Sequence, residues 1–240
     1  MTRTLFISDL HLDPHCPAGI DLFRRFCSEV APGADALHVL GDLFEMWIGD
    51  DHADAAADAV IDALGQLAAR GTHCHLMHGN RDFLLGNAFA QACGATLLPD
   101  PSPITLGARR CLISHGDALC TADEQYMALR RRFRSDAFRD DMLARPLAER
   151  AAFGAEARRQ SRQANGNKPE NIMDVTAAEV DALLDREGAE LLIHGHTHRP
   201  AVHRWQHAGR ERTRIVLGDW GASTHYAEAQ GEDVQLIAWP

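Results

Sequence analysis

The sequence predicts an α/β protein, and three observations carry that prediction. Short apolar runs alternate with helical stripes through the first half of the chain. Five clusters of Asp, His, Asn and Gly stand directly after five such runs. One long stretch, 118–170, shows helical but no strand periodicity. A βαβα rhythm of this kind implies a largely parallel or mixed sheet with helices on its faces.

Thr4–Ser8 reads as the first strand. Ile20–Val30 follows as a helix with Leu22, Phe23, Phe26 and Val30 on one stripe. Ala36–Leu40 is a strand, and Ala53–Arg70 an Ala-rich helix stopped by Gly71. Cys74–His78 is a strand, Leu84–Ala92 a short helix, and Arg110–Ser114 the next strand. Thr121-Ala122-Asp123-Glu124 then forms a capping box that opens a helix. A second helix spans Leu147–Gln163, with Pro146 at its boundary and Asn165-Gly166-Asn167 closing it. The region 118–170 is thus a helical lid inserted into a single domain, 1–240. Thr176-Ala177-Ala178-Glu179, another capping box, starts the helix Ala177–Arg186. Leu191–Ile193 is a core strand, and Val202–Gln206, Thr213–Leu217 and Val234–Ala238 form a second, antiparallel sheet.

At 240 residues and 45% hydrophobic, the chain can bury a sizeable core. Its net charge of -10 argues against generic nucleic-acid binding. No run is long enough to span a bilayer, and the first cluster begins at Asp9, which leaves no room for a cleaved signal peptide and leads to the expectation of a cytoplasmic protein. The six Cys lack close zinc-finger spacing and read as reduced, mostly buried thiols. Lys168 is the sole Lys beside 23 Arg. Codon bias explains most of that, yet a lone Lys also flags a position needing a compact ammonium.

The five clusters are Asp9-Leu10-His11, Gly41-Asp42, Gly79-Asn80-Arg81-Asp82, His115-Gly116-Asp117 and Gly195-His196-Thr197-His198. An open α/β sheet places its ligands outside the carboxyl ends of its strands, so five such ends can converge. Asp9 and His11, two apart, can face one ion; Asp42 can bridge; Asn80 and His115 add an oxygen and an imidazole; His196 and His198 can serve one ion each. This oxygen and nitrogen set without Cys suits Mn²⁺, Fe²⁺ or Zn²⁺ better than Mg²⁺ or Ca²⁺. Two ions sharing a carboxylate are the usual equipment for displacement at phosphorus.

In order and type, these clusters resemble the calcineurin-like metallophosphoesterase superfamily over nearly the whole chain. The resemblance implies two packed mixed β-sheets flanked by helices, a four-layer α/β/β/α core carrying the helical lid. It implies one metal on Asp9, His11, Asp42 and His198, and a second on Asp42, Asn80, His115 and His196. Water activated by both ions would be the nucleophile.

Many members carry a His after the Asn, as acid for an alkoxide leaving group; here Arg81 stands there. Arg cannot give up a proton at neutral pH but binds anions in bidentate fashion. A phosphate leaving group, with its second pKa of about 6, needs no proton. Arg81 therefore favours a P–O–P anhydride, unless it only orders its loop through Asp82. From Arg130 to Arg162 ten Arg face five acids, with Phe133, Phe138, Met142, Leu143, Leu147 and Phe153 among them. Such a helical lid fits a substrate both anionic and greasy or an anionic membrane; equally, the apolar residues pack the lid on the core.

The strings Gly41-Asp42-Leu43-Phe44-Glu45-Met46-Trp47-Ile48-Gly49-Asp50-Asp51, Gly79-Asn80-Arg81-Asp82-Phe83, His194-Gly195-His196-Thr197-His198-Arg199-Pro200 and Asn165-Gly166-Asn167-Lys168-Pro169 are more specific. They resemble the UDP-2,3-diacylglucosamine diphosphatases of lipid A biosynthesis. That resemblance implies hydrolysis of UDP-2,3-diacylglucosamine to UMP and 2,3-diacylglucosamine 1-phosphate by water attack on the α-phosphorus. It implies two Mn²⁺ per chain and a monomer peripheral to the cytoplasmic face of the inner membrane. Asp42, His115 and Arg81 would carry the chemistry. Asn80, Arg81 and His196 would touch the substrate, with Asp123, Ser161, Asn165 and Lys168 on the glucosamine phosphate. For Asp123 a helix-capping role competes with substrate contact. Glu45, Asp50, Asp51 and Asp117 are expected to orient ligating His or Arg81, and Trp47 to pack beneath the site.

Overall fold

The computed structural model describes residues 2–165, 172–221 and 224–240, without the side chains of residues 164 and 165. The first half contains β1 (Arg3–Ile7), α1 (Pro17–Arg25), a π-helical turn (Phe26–Val30), β2 (Ala36–Leu40), α2 (Ala55–Ala69), β3 (His73–Met77), α3 (Asn87–Ala92), β4 (Ala95–Leu98), β5 (Ser102–Leu106) and β6 (Arg109–Ser114). A 3-10 turn (Asp117–Leu119) leads into α4 (Glu124–Phe133), α5 (Asp136–Leu143) and α6 (Leu147–Asn165). The chain ends with α7 (Ala177–Glu187), β7 (Leu191–His194), β8 (Ala201–His207), β9 (Arg210–Val216), β10 (Thr224–Gln230) and β11 (Asp233–Trp239).

Two sheets result, in the orders β11-β10-β1-β2-β3-β4 and β5-β6-β7-β9-β8. Strands β1 to β4 are parallel, as are β6, β7 and β9, while the outer partners run antiparallel. Strand side chains alternate between faces, and the alternation defines the layers. Leu5, Ile7, Leu37 and Val39 pack on α1 and α2 through Phe23, Val60 and Leu64. Phe6, Leu40 and Met77 face the other way, against Cys111, Ile113, Leu191 and Ile193 of the second sheet. Leu112 and Leu192 point outward onto Val180, Leu183 and Leu184 of α7. This is the expected four-layer α/β/β/α arrangement. It brings the carboxyl ends of β1, β2, β3, β6, β7 and β9 to one edge.

Several expectations are corrected. Val234–Ala238 belongs to β11 in the first sheet, because β10, unseen in the sequence, carries the chain back beside β1. Strands β4 and β5 were also missed: β4 has four residues, and Pro103 falls within β5, which tolerates it as an edge strand. The helix expected from Leu84 starts at Asn87, where Asp50 accepts from Gly86 N and Phe89 N. Neither capping box forms as written. Asp123, not Thr121, caps α4 through Tyr126 N (3.0 Å), and Thr121 Oγ1 instead donates to Thr176 Oγ1 (2.8 Å). The first lid helix ends at Phe133 as α4, and a further helix not read from the sequence, α5, follows where Ser135 caps it.

Between the sheets, Phe6, His38 and His75 stack, with centroids 5.2 and 4.6 Å apart. Burial and the neighbouring His75 push His38 down to about 3.

Candidate metal centre

The loops after β1 and β2 run side by side: Asp9 N donates to Gly41 O (3.1 Å), His11 N to Asp42 O (3.0 Å) and Leu12 N to Leu43 O (3.0 Å). They bend sharply. Asp9, His11, Asp42, His196 and His198 all have positive φ, between 48° and 68°. Such backbone costs roughly 1–3 kcal/mol per residue and persists where surroundings over-determine it. The loops also pass very close. A Cβ on Gly195 would collide with Ser8 and Asp9, and one on Gly79 with the Asp42 backbone, so neither position admits a side chain.

The seven expected metal ligands gather at this edge. Donor atoms of Asp9, His11 and His198 lie within 4.8 Å of one another, as do those of Asp9, Asp42 and His115. The two oxygens of Asp42 point to different imidazoles: Oδ2 is 3.9 Å from His11 Nε2, Oδ1 3.8 Å from His115 Nε2. Asn80 Oδ1 is 3.0 Å from His115 Nε2, and the His196 ring is 5.0 Å from that of His115. The Nε2 atoms of His11 and His198 face each other at 3.3 Å.

Asp9, Asp42 and His115 are buried. Burial works against a charged His115, yet Asp42, Asp117, Asp9 and Asp100 outweigh it and lift the imidazole to about 9. Burial, then the charge of His115, depresses His196 to about 3. Burial raises Asp42; it also raises Asp9, but His198, His115 and His11 hold that carboxyl well below the usual range. His198 Nε2 approaches Asp9 Oδ1 to 3.3 Å off the line of a hydrogen bond, leaving that buried oxygen without a donor. Unpaired carboxylate oxygen, converging imidazole nitrogens and a field that favours positive charge together fit a divalent cation site.

Arg81 N donates to Asp42 Oδ1 (2.8 Å). Asp82 orders the loop itself, accepting from Leu43 N (2.8 Å) and Gly79 N (2.6 Å). Among the described residues no hydrogen bond or ion pair reaches the Arg81 guanidinium, whose Nε is buried without a partner. Arg81, Asn80, Tyr126 and Ser161 line two cavities at once. The larger, about 310 Å³, runs under α4 and α6 between Trp47, Leu84, Phe133, Met142 and Phe153. The smaller, about 260 Å³, holds His11, Asp42, His196, His198 and Asp123. The apolar residues of the helical segment thus divide: Phe138 packs on the core, Met142 and Phe153 both pack on the core and wall the cavity, and Phe133, stacked on Phe83, walls the cavity. Lys168 and the side chain of Asn165 lie outside the described residues.

Of the acids expected to orient ligands, Glu45 does contact His11 (Oε2 to Nδ1, 3.1 Å). The others do not. Asp50 holds Trp47 Nε1 and the start of α3, and Asp51 pairs with Arg150 of α6. Asp117 accepts from Tyr126 Oη (2.8 Å) and Arg130 Nε (2.9 Å) of α4. Trp47 packs on Phe44 and Phe89, as expected, yet also lines the larger cavity. Sequence reasoning missed the loop after β9, where Asp219 Oδ2 lies 3.7 Å from His198 Nδ1 and Trp220 N donates to Asp9 O (3.1 Å). A signal existed: Gly218-Asp219 follows the apolar run Ile215-Val216-Leu217, as Gly41-Asp42 follows its own.

The model of the calcineurin-like phosphoesterase family matches residues 2–200. The chain belongs to that family. Among its phosphoesterase relatives, one from Stenotrophomonas maltophilia (strain K279a) is 53% identical over 224 residues, covering 90% of both chains. Others from Hahella chejuensis (strain KCTC 2396) and Xanthomonas axonopodis pv. citri (strain 306) are each 48% identical and cover 98% of this chain, with 96% and 99% of their own. All three are named UDP-2,3-diacylglucosamine hydrolase.

Proposed function

We propose that this phosphoesterase hydrolyses the pyrophosphate of UDP-2,3-diacylglucosamine to UMP and 2,3-diacylglucosamine 1-phosphate, in lipid A biosynthesis. The observation that carries this reading is Arg81, unpaired among the described residues, beside the metal ligands and on the wall of both cavities. A pyrophosphate there has its charge met by a guanidinium, its apolar half beside Phe133 and Phe153, and its scissile bond beside Asp42.

Asp9, His11, Asp42 and His198 would hold one Mn²⁺, and Asp42, Asn80, His115 and His196 another. When bound, such a pair supplies Lewis acidity and a water nucleophile at neutral pH. The opposed oxygens of Asp42 support its role as the shared ligand. Arg81 holds charge on the leaving phosphate, which departs without needing a proton. Tyr126 and Ser161, on the line where the cavities meet, and Asp123 border the glucosamine phosphate. Lys168 and Asn165 complete that half in this reading.

The helical segment acts as the lid. Its exposed Leu129, Leu143 and Leu147 stand among the Arg island and support attachment to an anionic membrane surface. Among the described residues no helix is long and apolar enough to cross a membrane. Turnover of UDP-2,3-diacylglucosamine against an acyl-free UDP-sugar tests the substrate. A large preference for the diacylated compound is expected; equal kcat/KM on both would refute the lipid assignment.

A further inference from the structure

Two carboxylates outside the ligand set face the imidazoles of the first metal group. Glu45 Oε2 lies 3.1 Å from His11 Nδ1, and Asp219 Oδ2 lies 3.7 Å from His198 Nδ1. An imidazole whose Nδ1 faces a carboxylate presents Nε2 as the more basic donor. His115 differs, since its Nδ1 faces the backbone carbonyl of Leu40 at 2.9 Å.

Among the described residues, Asp219 has no partner beyond His198, whereas Glu45 has a second one. Its Oε1 pairs with Arg158 of α6, and both side chains line the larger cavity. The His11 contact is correspondingly oblique: Nδ1 comes within reach of Glu45 yet completes no hydrogen bond. The position of Glu45 does not depend on the helix. Its N–H donates to Leu12 O (3.0 Å), one residue beyond His11, in the ladder that joins the first two loops.

We propose that Glu45 is a positioning residue shared between His11 and Arg158, through which helix α6 sets the metal affinity of the Asp9–His11–His198 group. With Arg158 on it, Glu45 is partly neutralised and His11 is the weaker ligand. An anionic ligand in the cavity that draws Arg158 away leaves Glu45 to His11 alone and tightens the ion. Linkage makes the effect reciprocal, so a filled first site favours anion binding under α6. The inference rests on the two-metal reading and adds a route from the helical segment to one of the two ions.

The test is Mn²⁺ titration of the full chain by calorimetry, with no substrate present. The wild type is expected to bind two ions. Glu45→Gln should weaken one of them by roughly 10–100-fold, the usual effect of losing an outer carboxylate. Arg158→Met should tighten that same ion. Arg159→Met, on the same helix but paired with Glu156, should change neither affinity. Weakening in both Glu45→Gln and Arg158→Met would make the pair a mere latch and overturn the proposal, as would no change in either. Equal tightening in Arg159→Met would trace the effect to general charge and also overturn it. A wild type that binds no ion would refute the metal reading beneath it.

Discussion

The strand-end loops and the helical segment face the same cavities but are built on different terms. The loops are largely buried and strained, and many of their backbone N–H groups are committed to a neighbouring loop. The helical segment is mostly exposed and gripped at a few points: Arg130 on Asp117, Arg134 on Gly79 O, Arg150 on Asp51 and Ile48 O, and Arg158 on Glu45. Each grip lands on a loop that carries candidate metal ligands. The candidate ligands are thus placed by backbone, and the helical segment over them by side-chain clamps that can be altered singly.

The largest predicted effect breaks the loop side. Asp42→Ala should reduce turnover to background, because it removes the ligand that faces both imidazoles. Arg81→Ala should cost less, roughly 10²–10³-fold in kcat, the scale of losing one charge-stabilising donor. Equal residual rates for the two would contradict the shared-ligand geometry. Arg81→His should not yield an efficient monoesterase, since the cavity walls are unchanged. A large gain on p-nitrophenyl phosphate would show that they matter little.

Next comes the cavity wall. Phe153→Asp should lower kcat/KM for the diacylated substrate by roughly 10–100-fold, from the ~1.5–3 kcal/mol that a buried Phe contributes. Turnover of an acyl-free UDP-sugar should be unaffected. Parallel losses on both would mean that Phe153 only packs.

The clamps should give a smaller, local effect. Arg150→Met leaves the Ile48 carbonyl without its donor, at a cost of about 1–3 kcal/mol. Hydrogen exchange should rise in α5 and α6 while β1, β2 and β6 stay protected. Uniform loss of protection would show that the segment and the core unfold as one unit.

The contrast also explains what was legible in the sequence. The loops that bring the candidate ligands together follow apolar runs at strand ends, so order and residue type pointed to that convergence without coordinates. Their side chains must reach one point, and few residue types can do so. Clamp residues carry no such signature. Asp51 and Asp117 close their motifs and were expected to serve the ligands, but their partners are arginines 99 and 13 positions away, respectively. Residue β-propensity says little for Thr224–Gln230, whose strand is imposed by pairing on both sides. Asp219 was overlooked because β9 was assigned to a separate antiparallel sheet, which hid its parallel pairing with β7.

The remaining effect lies away from both regions, in the His38–His75 stack. The unfolded chain takes up a proton near pH 6.5 that buried His38 resists until about pH 3. Stability should therefore fall as pH drops through that window, by up to a few kcal/mol from this residue. His38→Leu should flatten that acid loss in urea melts. An unchanged slope would show that the loss arises elsewhere.

The central claim is that this site cleaves an anhydride by water attack on the nucleotide side. The most direct test is ³¹P NMR of the products from UDP-2,3-diacylglucosamine in ¹⁸O-labelled water with Mn²⁺. Label in UMP, with none in 2,3-diacylglucosamine 1-phosphate, is the predicted result. Label in the sugar phosphate, or no turnover beside activity on acyl-free dinucleotides, would contradict it.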